Sequence, residues 1–124
     1  MILIDYKDKR PLFEQITERF KKLICSGGLA PDSRLPSVRS LAVELAINPN
    51  TISRAYHELE SEGYIYTVKG KGCFTACEED IKRLKYSRYK ADLKEIIMKG
   101  REQGFTPSEV KTLGEEALKE VYDD

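Results

Sequence analysis

This sequence has no long hydrophobic run, only three cysteines, a single histidine and no excess of charge of one sign. No apolar stretch approaches the roughly 20 residues of a membrane-spanning helix, so we expect no membrane span. The first five residues reach an acid at once, which argues against a secretory signal peptide. With 40% hydrophobic and 34% charged residues, the chain is expected to be a globular, cytoplasmic protein.

The few cysteines and the single histidine indicate neither a disulfide framework nor a clear metal site. Cys25, Cys73 and Cys77 are odd in number and irregularly spaced, and only His57 could supply an imidazole ligand. We interpret the cysteines as reduced thiols and His57 as a surface or partly packed residue, so no cofactor or metal is expected. A redox or metal sensor at Cys73 and Cys77 is a minor hypothesis.

Net charge gives no indication of a partner, because 21 Lys and Arg balance 21 Asp and Glu. Residues 1–76 hold 11 bases against nine acids, and residues 77–124 hold 10 against 12, an asymmetry too mild to argue from. An enzyme has almost no support, because the chain has one histidine and neither a phosphate-binding glycine loop nor a recognisable acid pair.

Hydrophobic periodicity predicts helices at about residues 11–27, 37–46 and 49–62. Asn48 and Pro49 are typical of a helix start, because asparagine caps free N–H groups and proline fits the first turn. The second and third helices are short and joined by few residues, which predicts a helix-turn-helix. The inward-facing residues are expected to be Leu12, Phe13, Ile16, Phe20, Leu23 and Ile24, then Val38, Leu41, Ala42 and Leu45, and finally Ile52, Ala55, Tyr56 and Leu59.

After the third helix the hydrophobic pattern alternates. Residues 64–68 and 73–76 predict two strands around a basic, glycine-rich turn, which is the wing of a winged helix. The predicted fold is therefore mainly α with a small β-hairpin wing, a winged helix-turn-helix over residues 1–76 followed by an α-helical hairpin over residues 77–124.

The hairpin of residues 77–124 is predicted to mediate dimerisation. Its first helix is highly charged but carries an apolar stripe, and a capping box at residues 106–109 begins its second helix. Fewer than 50 residues cannot bury a core alone, so the hairpin must pack on the first domain, on a second copy, or on both. The predicted dimerisation residues are Ile81, Leu84, Tyr89, Leu93, Ile96, Ile97, Val110, Leu113, Leu118 and Val121.

Polar residues at the start of the third helix and in the wing are candidates for DNA contact. A recognition helix enters the major groove with its N-terminal turns at the bases, where asparagine can pair with adenine and arginine with guanine. The predicted DNA-binding residues are Arg39, Asn50, Thr51, Ser53, Arg54, Lys69, Gly70 and Lys71, with Arg34 and Lys9 as weaker phosphate candidates.

Each candidate also has a purely structural interpretation. Asn48, Asn50 and Thr51 could be helix caps, which for Asn48 is the favoured interpretation. Arg54 could pair with Glu58 four residues on. The wing lysines could be a solvated turn. As an ordered set on three successive elements, however, these residues favour DNA binding.

The motifs PLFEQI, LPSVRSLA, NPNT, AYHELESEG and GKG follow one another across residues 10–76 in an order and spacing that resemble the DNA-binding domain of the GntR family of bacterial regulators. The resemblance implies operator contacts at Arg39, Asn50, Thr51, Ser53, Lys69 and Gly70. Pro49 stands where many members have arginine, which implies a different operator. The length and helix count of the tail are similar to the YtrA-like branch, whose members dimerise through it and often regulate transporter operons.

The favoured function is a sequence-specific transcriptional regulator, a homodimer that binds palindromic double-stranded operator DNA and represses an operon. Activation stays open as an alternative to repression. A second interpretation is a protein-interaction module that receives a partner on the apolar stripe of residues 81–97. A small-molecule effector is not identified, and one would have to bind at a dimer groove or between tail and winged helix.

Overall fold

A computed structural model describes residues 4–123, so the very start of the chain, on which the signal-peptide expectation rests, lies partly outside the described residues. The two strands pair antiparallel, with Ile65 opposite Thr75 and Val68 opposite Gly72. The mainly helical fold with a small hairpin is confirmed. Within the described range, no helix combines the length and apolar character of a membrane span. The elements are α1 (Leu12–Ser26), α2 (Val38–Leu45), α3 (Pro49–Ser61), β1 (Ile65–Val68), β2 (Gly72–Thr75), α4 (Glu78–Glu102) and α5 (Pro107–Tyr122).

The turn between α2 and α3 is built from three residues. Ala46 ends α2 in the left-handed conformation, with φ of 54°, and its N–H donates to carbonyls of the last turn. Ile47 is buried, and its N–H donates to the Ala42 carbonyl at 3.0 Å. The Asn48 side chain then accepts the N–H of Asn50 at 2.8 Å, and Pro49 occupies the first turn. The predicted helix-turn-helix and its cap are therefore confirmed.

One hydrophobic core joins the three first helices to the hairpin. The rings of Phe20 and Tyr56 meet edge to face in it, with centroids 5.6 Å apart. Most residues predicted to face inward are buried, and Leu12, Phe13, Leu23, Val38 and Leu45 pack against the core while partly exposed. Fully or nearly buried are Ile16, Phe20, Ile24, Leu35, Leu41, Ala42, Ile47, Ile52, Ala55, Tyr56, Leu59, Tyr64, Ile65, Ala76 and Ile81.

The first turns of α4 belong to this core. Ile81 is only 8% exposed, and Leu84 is partly buried against the same cluster. The core of the preceding domain therefore covers these two residues, which is one of the arrangements that sequence analysis left open for the apolar stripe. The chain forms two compact units that divide between Lys85 and Tyr86.

The second unit contains the rest of α4 and all of α5. The predicted capping box is present, because the Thr106 hydroxyl accepts the N–H of Glu109 at 3.2 Å and the Glu109 carboxylate accepts the N–H of Thr106 at 3.0 Å. The hydrogen bond from the Thr106 N–H, and to a lesser extent the Thr106 side chain, lower the pKa of the Glu109 carboxyl group. No residue of α5 is buried, although the helix is amphipathic. The apolar side of this unit therefore remains exposed to solvent.

Candidate nucleic-acid interface

The first turns of α3 present polar side chains to solvent. Asn50 and Ser53 are exposed, whereas Thr51 is half-buried. The helix begins with a side-chain cap on only one of its free N–H groups, that of Asn50. Pro49 has no N–H and the Thr51 N–H donates to the Asn48 carbonyl at 3.0 Å, so the positive end of the helix dipole, and not a free backbone donor, would favour a nearby phosphate.

The opposite face of α3 fixes this presentation. Ile52 and Leu59 are fully buried, and the Tyr56 hydroxyl donates a hydrogen bond to the Pro36 carbonyl at 2.7 Å. Burial raises the pKa of Tyr56, which keeps its hydroxyl protonated as the donor. The hydrogen bond ties α3 to the segment before α2, so the two helices of the motif hold one orientation.

Arg54 is exposed on α3, but its guanidinium lies over the ring of Phe13 in α1, with Cζ 3.7 Å from the ring centroid. This cation–π contact limits the side chain to a narrow set of rotamers. The alternative ion pair with Glu58 does not form between these two residues. Sequence analysis missed the Phe13 contact, because the two residues lie far apart in the chain and no local signal connects them.

Arg39 is exposed in the first turn of α2. The Ser37 hydroxyl caps this turn by accepting the N–H of Ser40 at 3.0 Å. The cap fixes the start of the helix, and with it the position from which Arg39 extends.

The wing carries its cations at a tight turn. Lys69, Gly70 and Lys71 are all exposed, and the Lys71 N–H donates to the Val68 carbonyl at 2.9 Å. Gly70 has φ of 78°, a conformation that side chains rarely adopt. The turn therefore needs glycine at its tip, and the two lysines flank a bare backbone that can approach a duplex closely.

The outer face of the hairpin is joined to the preceding loop. The rings of Tyr66 and Phe74 stack at 5.6 Å, and the Tyr66 hydroxyl donates to the Asp32 carboxylate at 2.9 Å. This hydrogen bond raises the pKa of Tyr66, because only the protonated phenol can donate it and the bond therefore stabilises the neutral form. The wing is thus anchored at its base rather than free to swing.

His57 is a residue whose position sequence analysis did not use. It is exposed and lies seven residues after Asn50, which is two helical turns, so both residues share one face of α3. The i, i+7 spacing was the signal that could have found it. A ligand that lies along this face of α3 for two turns from Asn50 therefore also contacts His57.

The cysteines form no cluster. Cys25, Cys73 and Cys77 form no disulfide and are half-buried, and the Cys73 sulfur lies 3.4 Å from the Thr67 hydroxyl. Among residues 4–123, no group of three His, Cys, Asp or Glu side chains could hold a metal ion. The sensor hypothesis for Cys73 and Cys77 therefore gains no geometric support.

The second unit contains an open apolar groove of about 660 Å³ between α4 and α5. Five of the predicted dimerisation residues line it: Leu93, Ile96, Ile97, Val110 and Leu113. The other three in this unit, Tyr89, Leu118 and Val121, are 60–71% exposed elsewhere on its surface.

A helix-turn-helix with a polar recognition helix and a cationic hairpin wing is the architecture of a winged-helix transcriptional regulator. The sequence model of "Bacterial regulatory proteins, gntR family" matches residues 12–75, which is more than half of the chain. The chain belongs to the GntR family, whose members are regulators and not enzymes.

Relatives and solved structures support this assignment. The HTH-type transcriptional repressor YtrA of Bacillus subtilis (strain 168) is 40% identical over 100 residues, which cover 79% of this chain and 77% of YtrA. A GntR family transcriptional regulator from Listeria monocytogenes is 31% identical with a TM-score of 0.75, over 91% of this chain and 98% of that one. The predicted YtrA-like branch is confirmed.

A third similarity concerns a complex with DNA. The DNA-binding domain of AraR, solved with operator ORR3, is 28% identical with a TM-score of 0.52. The match covers 60% of this chain and 89% of the AraR chain. In that complex a domain similar to the first unit is bound to an operator.

Proposed function

We propose that this protein is a homodimeric repressor that binds palindromic operator DNA through its first unit. The observation that carries the proposal is the exposed polar start of α3, where Asn50 and Ser53 face solvent while Ile52 anchors the helix in the core. The name of the related YtrA, a transcriptional repressor, and the AraR–operator complex support this function. A bacterial regulator meets its operator in the cytoplasm, so the proposal also locates the chain there.

The proposed DNA contacts divide between the two grooves. The start of α3 enters the major groove, where side-chain amides, hydroxyls and guanidinium groups read base edges. The wing tip follows the minor groove and contacts phosphates. The major-groove set is Arg39, Asn50, Thr51, Ser53 and Arg54, and the wing set is Lys69, Gly70 and Lys71.

Dimerisation through the second unit would set two winged helices on two half-sites, as a palindromic operator requires. Support comes from the exposed apolar side of α4 and α5, which is too extensive for a solvated two-helix hairpin. We assign to this surface Tyr89, Leu93, Ile96, Ile97, Val110, Leu113, Leu118 and Val121. No effector is assigned, and a transporter operon is the proposed target.

A gel-retardation assay on the region upstream of the protein's own gene tests operator binding. The full-length protein should retard this fragment selectively over a scrambled one, with an affinity that falls as salt rises. The double variant Lys69→Ala/Lys71→Ala should weaken binding to both fragments alike and reduce the slope of log affinity against log salt by roughly two. Absence of selective, salt-sensitive retardation would contradict the proposal.

A further inference from the structure

We propose that Arg34 is a further phosphate-binding residue, held beside the wing by an antiparallel bridge to β2 and by close packing against the bare backbone of Gly72. The inference rests on the proposed binding of operator DNA, and it extends the cationic surface beyond the hairpin itself. The segment that contributes Arg34 precedes the helix-turn-helix in the chain.

Residues 33–35 pair with β2 through an isolated antiparallel bridge. The Leu35 N–H donates to the Cys73 carbonyl at 2.8 Å, and the Thr75 N–H donates to the Ser33 carbonyl at 2.9 Å. Arg34 lies opposite Phe74 in this antiparallel bridge. The Arg34 backbone is therefore hydrogen-bonded to the wing at β2.

Gly72 lets the Arg34 side chain lie slightly closer to the β2 backbone than a residue with a Cβ would. A Cβ at Gly72 would lie 3.3 Å from Nε and 3.6 Å from Nη2 of Arg34. The guanidinium therefore lies against bare backbone at the start of β2, directly after the turn that carries Lys69 and Lys71. Gly72 acts as a positioning residue for Arg34.

The charge of Arg34 is available to a ligand. Arg34 is exposed, and across residues 4–123 no carboxylate lies within ion-pair distance of its guanidinium. The acid nearest in sequence, Asp32, accepts the Tyr66 hydroxyl instead. A planar guanidinium with free N–H groups suits the oxygens of a phosphate, and it adds a third cation to the wing lysines.

Equilibrium binding to the operator fragment over a salt series tests this role. For Arg34→Ala we expect weaker binding to selected and scrambled DNA alike and a salt slope lower by about 0.9, the loss of one phosphate contact. The ratio of wild-type affinity to variant affinity should then fall about threefold as the salt concentration rises from 50 to 200 mM. Arg34→Lys should restore the slope, and Arg101→Ala, which removes an exposed arginine from the second unit, should leave affinity and slope unchanged.

The outcomes separate this inference from the proposed function. If wild type binds selectively and Arg34→Ala keeps its salt slope, only the role of Arg34 is overturned. If wild type fails to bind any duplex, the proposed function fails first. Adding Gly72→Ala to Arg34→Ala should leave the salt slope at the value of Arg34→Ala alone. A further loss of slope in the double variant would show that Gly72 acts through the turn and not through Arg34.

Discussion

Two asparagines lie within three positions of each other at the start of α3, and their environments differ. The Asn48 side chain is occupied, because its oxygen accepts the N–H of Asn50. The Asn50 side chain is exposed and has no such role in the cap. One residue type therefore serves the fold at position 48 and is free for recognition at position 50.

Separate substitutions should show that Asn48 contributes to stability and Asn50 to base preference. We expect Asn48→Ala to lower the free energy of unfolding by about 1 kcal/mol through the lost cap, while the base preference of the folded protein stays the same. Asn50→Ala should leave stability within about 0.5 kcal/mol and cost about 1–3 kcal/mol of discrimination at one base pair. Urea denaturation and binding to single-substitution operators measure the two effects, and full selectivity in Asn50→Ala would remove that residue from the recognition set.

Between α2 and α3, the turn depends on an alanine in an unfavourable conformation. Ala46 has φ of 54°, where its Cβ crowds the following carbonyl. Glycine adopts this conformation without the steric cost and is the usual residue at such helix ends. The turn is therefore less stable with alanine at position 46 than it would be with glycine.

Ala46→Gly should raise the free energy of unfolding by about 0.5–1 kcal/mol, because the relief of strain exceeds the extra freedom of glycine in the unfolded chain. The matched control is Ala42→Gly, a buried position in the right-handed body of α2. It should destabilise the protein by about 1 kcal/mol or more. Chemical denaturation of both variants gives the comparison, and a loss of stability in Ala46→Gly would show that the turn is not strained.

At this same scale, local signals predicted the elements well. The Asn48 cap, the Thr106 capping box and the alternating strands around Gly70 each depend on a few neighbouring residues, and all appear in the structure. Contacts between distant segments left no such signal. The antiparallel bridge between residues 33–35 and β2 is one such contact, because the prolines that flank this segment are typical of a loop and give no sign of pairing.

Burial was harder still to predict where one helix serves two units. Ile81 and Tyr89 belong to the same apolar pattern of α4, but Ile81 is buried in the first core and Tyr89 is exposed. A periodic pattern shows which residues share a face and not what covers it. With Ile81 and Leu84 covered, the stripe that a protein-interaction module would need is shortened.

For the whole molecule, the remaining question is what covers the apolar surface of the second unit. Ile96 lines the groove and is 64% exposed, although isoleucine favours burial. A symmetric dimer covers the same patch on both copies and holds two recognition helices at once. Binding both half-sites together raises affinity by about 10²–10⁴ over one, without any new contact to DNA.

Ile96→Glu should therefore separate the proposed dimer while each chain stays folded, because the substituted side chain already faces solvent in a single chain. Light scattering should report the mass of a monomer at micromolar concentration, and operator affinity should fall by about 10²-fold or more while half-site affinity is kept. Val43→Glu is the matched control, since Val43 is apolar and 77% exposed but lies on α2 of the first unit. Val43→Glu should keep the mass of a dimer. An equal loss of mass in both variants would point to general destabilisation. An intact dimer in Ile96→Glu would exclude this groove as the interface.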